Sequence, residues 1–313
     1  MAYSDDLRIL VKIAHMYYED GATQAEIAEA LGVSRPLISK YLAKAKDLGI
    51  VQIHIQDEMV HPYAALENAL EKKYHLREVI IPECGEQSIK RTLGAATGDY
   101  LLRIVKKNQI IGVSSGTTLY EVANEMPKAN LAPLTVVPLV GGMVDERLDI
   151  HSNQIAVQIA SRLGAEYKLL HAPVVVDSPE AKSLFLQQSS IADIFSLGRQ
   201  ADIAIVGIGG PPEHSTMVRN HMGKNYKTEL SHSDVIGDIC YNFINSQGEA
   251  SSVSWNERVI ALSLEDLKRI PIVISVAFGE EKLAAIHGAL HGQLVHVFVT
   301  DHLTAEGLLS NAF

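Results

Sequence analysis

Two stretches carry residue types and spacings suited to holding an anion. In IIGVSSGTTLYEVA a Val/Ile run ends in Ser114-Ser115-Gly116, and Thr117 and Thr118 open a helical pattern. Small residues there let the backbone approach an anion while N–H groups and hydroxyls converge on it, although a plain capped turn uses the same residues. In VISVAFGEEKLAAIHGAL a run ends, Gly279 turns, and Lys282 stands in the first turn of a helical pattern. A lysine there opposes the helix dipole, which makes sense beside an anion; an ordinary surface lysine is the plainer account. VVPLVGGMVDE, with Gly141 and Gly142, reads equally as a pocket wall or a sharp turn. AIVGIGGPP, with Gly207, Gly209 and Gly210, allows close backbone approach but fails as a dinucleotide fingerprint, because Pro211-Pro212 block an immediate helix. Asp238, in VIGDICYNF, could accept hydrogen bonds from a polyol or cap a helix. His287 and His291 have the i, i+4 spacing of metal ligands but no third ligand, so solvated histidines are expected. Trp255 is expected in a core or an interface. No Ser-His-Asp or paired-carboxylate set is recognisable by spacing.

A different chemistry lies in TQAEIAEALGVSRPLISKYL, Thr23 to Leu42. Thr23 and Glu26 form a capping-box pattern, Ile27, Ala28 and Leu31 make an apolar stripe, and Gly32 supplies the stop. Ser34 is expected to cap the next helix, with Pro36 in its first turn. Ile38 and Leu42 face inward there, leaving Arg35, Ser39, Lys40 and Lys44 outward. That is the layout of a helix-turn-helix whose second helix reads DNA; a solvated helical hairpin is the alternative. The expected DNA-facing set is Thr23, Gln24, Ser34, Arg35, Pro36, Ser39, Lys40 and Lys44, with Lys46 also toward the phosphates.

The elements that must position these groups fall into two domains, as 313 residues suggest. Asp5 to Glu19 is an amphipathic helix under the motif, and IVQIHI after Gly49 alternates like the strand of a wing. Residues 57–62 read as a linker between a domain at 1–56 and one at 63–313. In the larger domain, Val/Ile-rich runs at 78–81, 110–114, 135–140, 174–176, 203–208, 272–277 and 295–300 alternate with helical patterns. This predicts a mostly parallel, doubly wound α/β sheet covered on both faces.

The net charge of −10 is unevenly placed. Residues 1–56 hold six Lys/Arg and seven Asp/Glu, and Val33 to Lys46 contains four bases and no acid, so the motif suits phosphates. The rest carries a net −9, which disfavours wrapping DNA. Cys84 and Cys240 make no CxxC pair and read as free thiols of a reducing compartment. No apolar run reaches membrane-spanning length, and the basic-then-apolar start of a signal peptide is missing, so a cytoplasmic location is expected.

Together the ordered blocks YYEDGATQAEIAEALGVSRPLISKYLAKAKDLGIVQI, GVSSGTT, PLVGG, AIVGIGG, VIGDICYNF and SVAFGEEKLAAIHGAL resemble the SorC family (SorC/DeoR type) of bacterial sugar-responsive regulators. The resemblance spans nearly the whole chain. It implies a winged helix-turn-helix joined to a Rossmann-like effector domain similar to sugar-phosphate isomerases and deaminases. It implies homo-oligomers, commonly tetramers, that answer to a sugar or sugar phosphate; neither a cofactor nor a metal is expected. Carried onto this sequence, the effector set is Ser115, Gly116, Thr117, Thr118, Gly141, Gly142, Gly209, Asp238 and Lys282. Two departures stand out. Val140 replaces a lysine that some relatives carry before the double glycine, so Schiff-base capture there is not expected. Asn242 replaces a common arginine. The expected function is control of a carbohydrate-utilisation operon by a sugar phosphate. A phosphosugar isomerase or deaminase with a fused DNA-binding head is the alternative, with Asp238 as its one nameable acid–base group, and regulation through protein contacts alone is a third reading.

Overall fold

The computed structural model describes residues 7–53, 61–85, 88–131, 133–142, 148–212, 230 and 233–311. The chain divides into two compact units, Met1–Val60 and His61–Phe313.

The first unit is built on α1 (Leu7–Tyr18), α2 (Gln24–Leu31) and α3 (Arg35–Asp47). The capping box is present: the Thr23 N–H donates to Glu26 Oε2 at 2.8 Å and the Glu26 N–H to Thr23 Oγ1 at 3.3 Å. Gly32 closes α2 in the left-handed region. Leu10, Ile13, Ile27, Ile38, Tyr41 and Leu42 make one small core, with Val33 packed against its edge. Two local expectations change. Ser34 takes the extended N-cap backbone but its side chain makes no cap bond, and Lys44 is half-buried, less exposed than Arg35, Ser39 and Lys40. Val51 to Ile53 form no strand, and His54 and Ile55 of the expected wing lie outside the described residues.

The second unit contains β1 (Glu78–Ile80), β2 (Ile110–Val113), β3 (Thr135–Pro138), β4 (Glu166–Tyr167), β5 (Ile203–Gly209), β6 (Gly237–Ile239), β7 (Asn242–Ile244), β8 (Ile272–Val276) and β9 (Val297–Val299). Seven of them form a parallel sheet in the order β1-β9-β8-β5-β2-β3-β4, while β6 and β7 make an antiparallel hairpin paired to the end of β5. Residues alternate between the two faces. Ile203 and Ile205 of β5 join the core under α5 (Ile89–Ile104), α6 (Thr117–Glu125) and α7 (Ser152–Leu163). Ala204, Val206 and Ile208 join the other core, under α4 (Ala64–Tyr74), α9 (Ser189–Arg199), α12 (Leu283–His291) and α13 (His302–Ser310). Burial on both faces explains why the strands read as continuous apolar runs.

Several elements differ from expectation. Val174–Val176 is not a strand; Val175 makes only an isolated bridge to Val259. The surface helix α8 (Pro179–Gln187) and the short α10 (Ser254–Arg258) and α11 (Leu264–Arg269) were not anticipated. Lys282 closes a 3₁₀ turn at Glu280–Lys282 and occupies the N-cap position of α12, so it precedes the helix it was placed in. Asp238 caps no helix; it lies within β6.

The order of the sheet also locates its crevice. From β2 the chain runs outward through β3 to β4, then returns to β5 on the other side of β2 and works outward again. Loops therefore diverge at the carboxyl ends of β2 and β5, the point where open α/β sheets bind ligands.

Candidate functional site

The loop after β2 forms one wall of this crevice. Gly116 takes φ +121°, a region open to glycine alone without strain, and there turns the strand into α6. Its own N–H is already given to Ile150 O at 3.0 Å. The first turn of α6 has no side-chain cap, which leaves its leading N–H groups, from Thr117 onward, as donors at the positive end of the helix. Lys90, from the first turn of α5, donates from Nζ to Thr117 Oγ1 at 2.9 Å.

The facing wall is the β6–β7 hairpin. Its two turn residues, Cys240 and Tyr241, both have positive φ, the type I′ geometry usually filled by Asn-Gly. The strain is held by neighbours. Asn242 is buried and donates to Cys240 O at 3.1 Å and Leu262 O at 3.0 Å, and the Trp255 indole donates to Tyr241 O at 2.8 Å. Ser115 Oγ donates to Tyr241 OH at 2.6 Å, so the two walls touch. Asn242 is thus a staple of the hairpin, and Trp255 is core.

Asp238 sits opposite Gly209 in the β5–β6 ladder. A Cβ on Gly209 would fall 1.9 Å from Asp238 Oδ1, so any larger residue would have to push the carboxylate aside. Burial pushes the Asp238 carboxyl up to about 6, against the pull of Lys282 and of a hydrogen bond from the Tyr241 backbone. Lys282 donates from Nζ to Ile208 O at 3.3 Å. Burial lowers its pKa, the Asp238 and Glu281 charges oppose that, and Lys90 adds to it. Burial also drives the Cys240 thiol up to about 12.

Ser115, Gly116, Thr117 and Thr118, after β2, therefore lie at the same end of the sheet as Gly209, Asp238 and Lys282, at the end of the neighbouring β5. Gly141 and Gly142 follow β3 and serve its packing: their N–H groups bond Ile260 O and Ala172 O, and a Cβ on Gly141 would lie 2.4 Å from Pro173 O. Lys90 and Tyr241 belong to the site although no motif marked them. His287 is half-buried and shares a hydrogen bond with the Tyr74 hydroxyl at 2.9 Å, while His291, stacked on it, is exposed as expected. Among the described residues no cluster of three metal-ligating side chains occurs, and no helix is long and apolar enough to cross a membrane.

In the first unit, Arg35, Pro36, Ser39, Lys40 and Lys46 lie exposed along one side of α3, while Ile38, Tyr41, Leu42 and Ala45 are buried on the other. Thr23 is exposed, Gln24 half-buried and Ser34 exposed at the helix starts.

A helix-turn-helix unit and, in the same chain, an α/β unit with a polar switch point define a ligand-responsive DNA-binding regulator. Known proteins agree. The winged helix-turn-helix DNA-binding family matches residues 7–52, and the sugar-binding domain family matches residues 59–310. The chain is 32% identical to the deoxyribonucleoside regulator of Bacillus subtilis (strain 168), over 97% of this chain and 98% of that one. It is 31% identical to the sorbitol operon regulator of Klebsiella pneumoniae, over 99% and 100%. The crystal structure of full-length SorC from Klebsiella pneumoniae superposes with a TM-score of 0.74 at 30% identity, covering 98% of this chain and 99% of that one. A DeoR family transcriptional regulator from Listeria monocytogenes gives 0.74 at 33% identity, covering 79% and 100%. The chain belongs to the SorC family of sugar-binding transcriptional regulators, and it is a sugar-responsive DNA-binding regulator.

Proposed function

We propose that the effector is a phosphorylated sugar held in the switch-point crevice, and that its binding controls attachment to an operator of a carbohydrate-utilisation operon. The observation that carries this reading is the uncapped start of α6 at the same end of the sheet as the buried Asp238 carboxyl and the half-buried Lys282, whose charges act on each other. The phosphate lies against Ser115, Gly116, Thr117 and Thr118 with Lys282 as counter-charge. Asp238 accepts from sugar hydroxyls, and Gly209 lets it approach. Gly141 and Gly142 shape the wall behind. Arg35, Ser39 and Lys40 read bases, with Thr23, Gln24, Ser34, Pro36, Lys44 and Lys46 positioning the helix on the backbone. The protein works as a cytoplasmic homo-oligomer, a tetramer by family resemblance. A bound effector changes how subunits pair and so the spacing of the two recognition helices, which half-sites on DNA require to be fixed.

The test is fluorescence anisotropy on duplex from the gene's own upstream region, titrated with phosphorylated and free sugars. One phosphosugar should shift the binding curve while its unphosphorylated counterpart does not. Lys282→Ala should keep operator binding and lose the shift. If no compound moves the curve, the crevice assignment falls.

The perturbed Asp238 and Lys282 also favour a second reading, since such groups in a cleft are typical of acid–base catalysis. The relatives are named regulators, and assaying the active compound for turnover separates the two: an unchanged phosphosugar after prolonged incubation rules against an enzyme.

A further inference from the structure

Lys90 is a cation that the recognised motifs do not include, and its position is enforced. Gly94 and Gly98 follow it at four and eight residues along one face of α5. A Cβ at Gly94 would lie 2.8 Å from Glu121 O, and one at Gly98 would lie 2.6 Å from Pro127 Cδ. Lys90 meets Thr117, Gly94 meets Glu121 and Gly98 meets the end of α6, so the helices run parallel in close contact with their N-termini together. That contact delivers the ammonium group to Thr117.

Electrostatics oppose this placement. The start of α6 is the positive end of a helix dipole, and Lys282 is near enough for the Lys90 charge to depress its pKa. Among the described residues no carboxylate pairs with Lys90. An ammonium group at a helix N-terminus, with a second, held on Ile208 O, close enough to feel its charge, is stable there when an anion lies between the two.

We propose that Lys90 is a direct ligand of the effector's anionic group. With Lys282 it makes the crevice select a doubly charged phosphate monoester over the single charge of a sugar acid or an uncharged sugar. This deepens the phosphosugar reading above and rests on it.

The experiment is thermal melting of the full chain in inorganic phosphate, in gluconate and in chloride at matched ionic strength, under mildly alkaline conditions where phosphate is a dianion. Phosphate should raise the wild-type Tm more than gluconate or chloride does. Lys90→Gln keeps a donor to Thr117 and removes the charge. It should melt as wild type in chloride and need about tenfold more phosphate for the same rise, equal to about 1.4 kcal/mol. Lys90→Arg should restore most of the response. If Lys90→Gln follows wild type within about twofold while Lys282→Ala loses the response, the phosphate reading stands and the role of Lys90 is overturned. If wild type itself shows no phosphate-specific rise, the phosphate reading falls and this inference with it.

Discussion

At the scale of single residues, Asp238 is held at a cost. Folded, it keeps its proton up to about pH 6, against an ordinary 3.8. The folded state therefore binds the proton more tightly than the unfolded chain. Stability from this group is complete below about pH 4 and is lost as pH rises through about 6, roughly 3 kcal/mol by neutrality. Asp238→Asn should thus raise Tm by several degrees near pH 7 and leave it unchanged near pH 4, while abolishing the effector response; equal shifts at both pH values would refute the buried-charge account. Gly209→Ala should displace the carboxylate and weaken effector binding without touching operator affinity, measurable in the same anisotropy titration. The glycine and the aspartate were each visible as residue types in the sequence. Their contact was not, because it depends on the register of a hairpin folding back onto β5. Lys90 was equally hidden: it becomes a site residue only through the packing of α5 on α6.

At the scale of elements, local signals were legible where one helix or turn satisfies itself. The capping box of Thr23 and Glu26 follows from cap residues and helical spacing alone. Thr23→Ala should cost about 1 kcal/mol of stability in the first unit. If Thr23 also meets DNA, the loss of operator affinity will exceed what destabilisation explains. The β6–β7 hairpin was illegible because Cys240-Tyr241 replaces the usual Asn-Gly signal, and neighbours such as Asn242 and Trp255 hold the turn instead. Val174–Val176 misled for the reverse reason. Val174 is buried with Phe243 and Trp255 and Val175 packs half-buried against them, while Val176 turns to the other core, so the run joins no parallel strand.

At the scale of the whole molecule, charge separates the two tasks. Bases without acids line Val33 to Lys46, whereas the remainder beyond residue 56 is acidic. Operator affinity should fall steeply with salt, with a slope of about −0.9 for each phosphate neutralised. Lys40→Ala should change that slope or the base preference; a change in neither would remove it from the DNA face. The second unit buries its own two-sided core, so residues 61–313 alone should fold cooperatively and keep any phosphate-induced rise in Tm. The alternation of runs and helices made this sheet legible from the sequence. The strand order, and hence the crevice at β2 and β5, was not, since it is set by which edges pair.

The hairpin bearing Asp238 is an appendage: it pairs with the tip of β5 and is not one of the parallel strands. The groups expected to grip a phosphate sit on the framework, while the group expected to inspect the sugar sits on the appendage. Such an arrangement lets lineages retune which sugar is sensed by altering residues 237–244 and their supports, with the anchoring half kept as common stock. A biosensor engineer could follow the same route, diversifying that hairpin while leaving the rest of the receptor untouched.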